Sequence, residues 1–140
     1  MSNFYFTNII STGINKLLVR ADSGFFSDKL LTVIESRPNT EYLIKVKLKN
    51  MDKLLSYQNW ESIPGMPQWE MAEFMYRASS WREARKFVSL RKEITSSITD
   101  RLFEVKDYNY FCYVTNICDS PLAIHSLYET AEQVKIGLKQ

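Results

Sequence analysis

The sequence is poor in the residues that hold soft metals and build nucleotide-binding loops. Two cysteines, Cys112 and Cys118, and a single histidine, His125, are too few for a zinc site of four cysteines or of two cysteines and two histidines. They read as structural residues, the thiols reduced. Four glycines, Gly13, Gly24, Gly65 and Gly137, fit neither a G-x-x-x-x-G-K-[ST] loop nor a G-x-G-x-x-G turn, which excludes purine-nucleotide enzymes of those two types. No apolar run approaches the ~20 residues that cross a bilayer. Residues 1–10 lack the basic start and sustained apolar middle of a secretory leader, so the expectation is a cytoplasmic chain without a membrane partner. Large charge excess is also missing: 18 basic against 16 acidic residues leave +2, too little to demand a nucleic-acid partner without regard to distribution.

What is present is ordinary globular material. At 140 residues, 45% hydrophobic and 24% charged, the chain has room for one domain with a buried core. Residues 17–22 form an apolar run that ends in Asp22, Ser23 and Gly24, as a strand feeding a turn does. Ser27 then precedes Leu30, Leu31, Val33 and Ile34, an apolar stripe at helical spacing with Ser27 as N-cap and Pro38 as stop. Residues 41–48 alternate apolar and Lys in their second half and predict a strand with one wet face. Strand, helix, strand implies a parallel pair. Further on, residues 51–57 suit a short helix, residues 69–94 an antiparallel hairpin with Ser79 and Ser80 at a turn, and residues 108–116 a central aromatic and β-branched strand. Ser120 and Pro121 open a last helix to Lys139, whose apolar face is Ile124, Leu127, Tyr128, Ala131, Val134 and Leu138.

Two places stand out chemically. Asp22 lies at the carboxyl end of a buried strand, where ligands of α/β sheets bind; the residues alone leave open that it merely caps the turn. Arg77, Arg82, Arg85, Lys86, Arg91 and Lys92 gather in one short stretch with Tyr76 and Trp81 interleaved, a composition suited to phosphate contact and base stacking. The competing reading is a solvated surface with Glu83 and Glu93 as partners. Trp60 and Trp69 read as packing residues.

Arg20-Ala21-Asp22-Ser23-Gly24-Phe25, followed by Leu30-Leu31 and by Tyr42-Leu43-Ile44-Lys45-Val46-Lys47, resembles the central motif of DDE transposases of bacterial insertion sequences. Trp69-Glu70-Met71-Ala72-Glu73-Phe74 with Trp81 resembles the β-rich insertion of that family, Tyr110-Phe111-Cys112-Tyr113-Val114-Thr115-Asn116 its Y-F-x-x-V-T-N strand, and Leu127-Tyr128 the start of its last helix. The resemblance covers residues 17–128. It implies an α/β, RNase H-like core fragment, truncated at both ends. Residues 17–50 would be its βαβ portion, 51–106 an antiparallel β insertion, and 107–140 a strand plus the final helix. It further implies DNA at transposon ends as partner, with a full-length transposase or further copies of the chain for assembly. Asp22 would be a catalytic acid and a Mg²⁺ ligand, in a chemistry where two divalent ions held by carboxylates activate a nucleophile and stabilise the leaving oxygen of a phosphodiester.

Two departures bear on activity. No Asp or Glu precedes Asp22, whereas the family's first catalytic aspartate lies on an upstream strand. The family's last helix reads Tyr, two residues, Arg, three residues, Glu; counted from Tyr128, these positions hold Ala131 and Lys135. Glu132 serves as the second acid only with a gap in the match. The expectation is therefore a transposase fragment that does not cut or join DNA alone, the alternative being a non-catalytic DNA-binding or assembly module derived from a transposase.

Overall fold

Helix α1 starts and stops where its own side chains dictate. In the computed structural model, which describes residues 8–11, 16–22, 27–49, 51–94 and 107–138 (side chains at 8–11 and beyond 130 excepted), β1 is Asn8–Ser11, β2 Leu17–Ala21 and α1 Asp28–Glu35. The Ser27 hydroxyl accepts from the Leu30 amide at 3.2 Å and so satisfies one of the free N–H groups of the first turn. The helix ends at Glu35, three residues before Pro38, and Asn39 turns the chain with φ 55°. β3, Thr40–Lys45, then returns parallel to β2, with Leu17 opposite Thr40 and Ala21 opposite Ile44. This is the expected parallel unit.

The remaining elements are α2 (Asp52–Ser56), β4 (Glu61–Ser62), β5 (Trp69–Tyr76), β6 (Arg85–Ile94), β7 (Asp107–Thr115) and α3 (Pro121–Leu138). One mixed sheet takes all the strands in the order β1-β2-β3-β7-β6-β5-β4, antiparallel except at β2 and β3. β7 is its middle strand. Where β7 stops, two side chains extend its ladder: Thr115 Oγ1 donates to the Tyr42 carbonyl at 2.7 Å, and Asn116 accepts from the Tyr42 amide at 2.8 Å. Ser120 Oγ accepts from the Ala123 amide at 3.2 Å and opens α3 ahead of Pro121.

Alternation along the strands sorts the side chains onto two faces. Val19, Tyr42, Ile44, Phe87 and Val114 pack with Leu31 and Ile34 of α1 and Leu55 of α2. Leu18, Leu43, Val88 and Tyr113 pack with Ile124 and Tyr128 of α3. The sheet is thus covered on one face by α1 and α2 and on the other by α3.

One expectation shifts. The strand expected over 41–48 ends at Lys45, because β2 offers no partner past Ala21 and only the Val46 amide, bonded to the Cys112 carbonyl at 2.8 Å, continues the ladder. The short strands β1 and β4 carry no pattern that periodicity detects. Strands β4, β5 and β6 extend the same sheet beside β7. No helix among the described residues is long and apolar enough to cross a membrane.

Candidate functional site at the ends of the parallel strands

Asp22 follows the last residue of β2 and is exposed. It does not cap α1, since Ser27 does that. Its Oδ1 instead accepts a 2.6 Å hydrogen bond from the Tyr128 hydroxyl of α3, across 106 positions of sequence. Arg20, two residues earlier and so on the same face of β2, is only 1% exposed and places its guanidinium 3.9 Å from the centre of the Tyr128 ring. The Lys45 ammonium lies 5.8 Å from the same centre. Ala21 pairs with Ile44, which brings Lys45 level with Asp22 on the neighbouring strand. The carboxylate therefore accepts from a phenol whose ring is approached by two cations.

Behind it runs a series of ring and polar contacts. The Tyr113 ring lies 5.2 Å from that of Tyr128, and the Tyr113 hydroxyl is 2.7 Å from His125 Nδ1. His125 Nε2 in turn lies 3.4 Å from Glu129 Oε1. Burial pushes the His125 pKa below its ordinary value; Glu129 opposes the shift and Lys45 adds to it. Burial, with the Glu129 charge next, raises that of Tyr113. A neutral imidazole whose Nδ1 accepts from Tyr113 carries its proton on Nε2, facing Glu129. His125 also stacks near Phe111, ring centres 4.7 Å apart, so it serves the packing of α3 as the sequence suggested.

A pair of Mg²⁺ ions needs several carboxylates around a shared site. Among the described residues no three of His, Cys, Asp and Glu come together as a metal-holding group. The partner that Asp22 has there is a phenol, whose ring is itself approached by a guanidinium and an ammonium, and none of these groups is a second carboxylate. The described donor set does not fit Mg²⁺. Glu132 and Lys135 belong to the part of α3 whose side chains are not described, and residues 23–26 lie outside the described residues.

The basic stretch is not one surface. β5 and β6 form the expected hairpin, but residues 77–84 are its connection, and β6 alternates, so Arg85 and Arg91 lie on the α1 face while Lys86 and Lys92 lie on the α3 face. Arg85 is 6% exposed. Its Nη1 donates to Asp28 Oδ1 at 2.9 Å, its Nε to Glu35 Oε2 at 2.9 Å and its Nη2 to Glu35 Oε1 at 3.1 Å and Thr32 Oγ1 at 3.2 Å. Tyr42 completes the cluster through a 2.8 Å hydrogen bond to Glu35. Burial works against the Arg85 charge, but Glu35 and Asp28 outweigh it and hold the group protonated. The Arg85 hydrogen bond holds Asp28 below its ordinary value, whereas burial and Glu35 push Tyr42 up. Trp81, read as a base-stacking residue, is itself buried and lies under Arg85 with the guanidinium 5.0 Å from its ring.

The other members are placed singly. Arg91 pairs with Glu70 at 2.7 Å and is stacked on Trp60 and Tyr108, 4.5 and 4.0 Å from their centres. Lys86 Nζ donates to the Ile117 carbonyl. Arg77 donates to the Trp81 carbonyl at 2.7 Å and braces the connection. Arg82 and Lys92 are exposed, the Lys92 ammonium 5.8 Å from Trp69. A single phosphate-gripping face over residues 77–92 is thus corrected to a buried ion cluster, a stacked arginine and two scattered surface cations. The partners that consume Arg85 lie 50 and 57 positions upstream, beyond any local pattern.

Comparison of the chain with protein-family models, with curated proteins and with solved structures finds no match.

Proposed function

We propose that this chain belongs to an RNase H-like catalytic domain of a DDE transposase of the bacterial insertion-sequence type, and that alone it binds DNA without cutting it. The observation that carries the reading is the hydrogen bond between Asp22 and Tyr128. These residues belong to the two ends of the resemblance, and a chance match to one short motif gives no reason for them to meet. The parallel β2–α1–β3 unit, with Asp22 at the carboxyl end of β2, supports the same reading.

The binding half rests on the lysine at that end of the sheet, and the inactive half on the acids. Position 135, where the resemblance places the family's last acid, is a lysine, and the Lys45 ammonium lies 5.8 Å from the Tyr128 ring. A phosphodiester approaching Asp22 meets positive charge that attracts it, without the cluster of carboxylates that two-metal cleavage requires.

The test uses the purified chain. Affinity for a labelled duplex across a salt series should fall steeply, with a log–log slope of about −0.9 for each neutralised phosphate. Supercoiled plasmid with Mg²⁺ or Mn²⁺ should stay intact. Metal-dependent nicking that disappears in Asp22→Ala would overturn the inactive half of the proposal, and absence of binding at low salt would overturn the DNA reading as a whole.

A further inference from the structure

We infer that the DNA backbone is held by a row of lysines running out of β3, Lys45, Lys47 and Lys49, and not by the β5–β6 hairpin; this rests on the DNA-binding reading above. Beyond Lys45 the chain leaves the sheet but keeps its alternation. Val46 is buried and Leu48 packs against the core on the α1 face, whereas Lys47 and Lys49 are exposed. The three ammonium groups therefore project away from that core, continuing the side of β3 on which Lys45 approaches Tyr128 and Phe111. Register starts the row beside Asp22, at the carboxyl ends of the two parallel strands.

Charge bookkeeping distinguishes this row from the other basic residues. Arg85 and Arg91 are neutralised by Asp28, Glu35 and Glu70, and Lys16 pairs with Glu41 at 3.3 Å. Among the described residues, Lys45, Lys47 and Lys49 make no ion pair. Residues 45–53 contain four lysines and one acid, Asp52, in a chain whose total is only +2. Positive charge sparse overall is concentrated in this segment.

Spacing selects the ligand. Alternate residues of fully extended chain lie about 7 Å apart, and Lys49 enters the turn that the Met51 amide closes on the Leu48 carbonyl, so the row covers at most about 13 Å, still more than one phosphate or carboxylate engages. A nucleic-acid strand advances ~3.4 Å along its axis per nucleotide, so a row of that length spans up to about four backbone phosphates. Lysine, a flexible point charge, suits such contacts without reading bases.

Three double variants decide the matter in the salt-series assay: Lys47→Gln/Lys49→Gln for the row, Arg82→Gln/Lys92→Gln for the hairpin, and Lys29→Gln/Arg37→Gln as a charge-matched control on the exposed face and end of α1. All six side chains are exposed, and unchanged melting temperatures establish that the folds are intact. The expected result is a slope reduced by about two units in the row variant, with at least tenfold weaker binding near physiological salt, while the control keeps the wild-type slope. Loss confined to the hairpin variant would overturn the row and leave the DNA reading standing. Equal loss in all three would also overturn it, since net charge alone would then set affinity. No binding by the wild type would remove the DNA reading itself.

Discussion

Replacing Arg85 by methionine keeps the bulk of the side chain and removes its charge and five-donor fork. In the native fold the guanidinium is 6% exposed and bonded to both oxygens of Glu35, to Thr32 and to Asp28. Breaking one side of a fully buried pair costs about 3–5 kcal/mol. Glu35 remains 34% exposed, so water recovers part of its solvation, and the expected loss falls to about 2–3 kcal/mol for the Glu35 pair alone. For a chain of this size that lowers the melting temperature by about 8 °C. Arg85→Lys should lose nearly as much, because one ammonium cannot span two carboxylates. Thermal denaturation followed by circular dichroism at pH 7 measures both. Asp28 is held below its ordinary value, so its contribution is present above the unfolded carboxylate pKa and is lost as pH falls through the lower folded value. The gap between wild type and Arg85→Met should therefore narrow below about pH 4. A methionine variant within 0.5 °C of wild type at pH 7 would refute the structural role of Arg85 and return it to the surface.

Tyr128→Phe deletes the hydrogen bond to Asp22 while keeping the ring against Arg20, and should cost about 1 kcal/mol in denaturant unfolding, with no further loss when Asp22→Asn is added. His125 is held neutral below its ordinary pKa, so the unfolded chain binds its proton first. Stability should fall as pH drops from 7 through about 6.5, and His125→Phe should flatten that part of the profile. Burial pushes the Cys112 thiol up to about 11, with Ser89 opposing, whereas Cys118 is exposed. An aromatic disulfide reagent at pH 8 should therefore modify one thiol per native chain and two in guanidinium; two fast thiols in the native state would contradict the burial of β7.

Legibility from sequence followed the range of the interactions involved. Ser27, the parallel pair around α1 and the Ser120-Pro121 start of α3 are local grammar, written within a few residues and found where expected. The central place of β7 was readable from Tyr, Phe and Val because only a strand covered on both faces tolerates that composition without alternation. Arg85 was misjudged for the opposite reason: its sequence neighbours are surface-like, and its acids come from α1. The contact between Asp22 and Tyr128 has the same character, and only the resemblance linked the two residues in advance. Lys47 and Lys49 were visible as alternation, but which cations escape pairing depends on where carboxylates land in space.

The position of β7 also sets an order of assembly. It is the seam between β3 on one side and β6 on the other, and Thr115 reaches back 73 positions to bond Tyr42. On a ribosome, the βαβ unit and the β5–β6 hairpin can each form while they emerge, but neither can join the other until residues 107–115 are free of the exit tunnel. Until then both halves carry an open edge, β3 and β6, rich in apolar side chains and competent to pair with a foreign strand. The interval between synthesis of β6 and release of β7 is therefore the window in which aggregation competes with folding, and the long-range closure that ends it makes this a slow-folding chain.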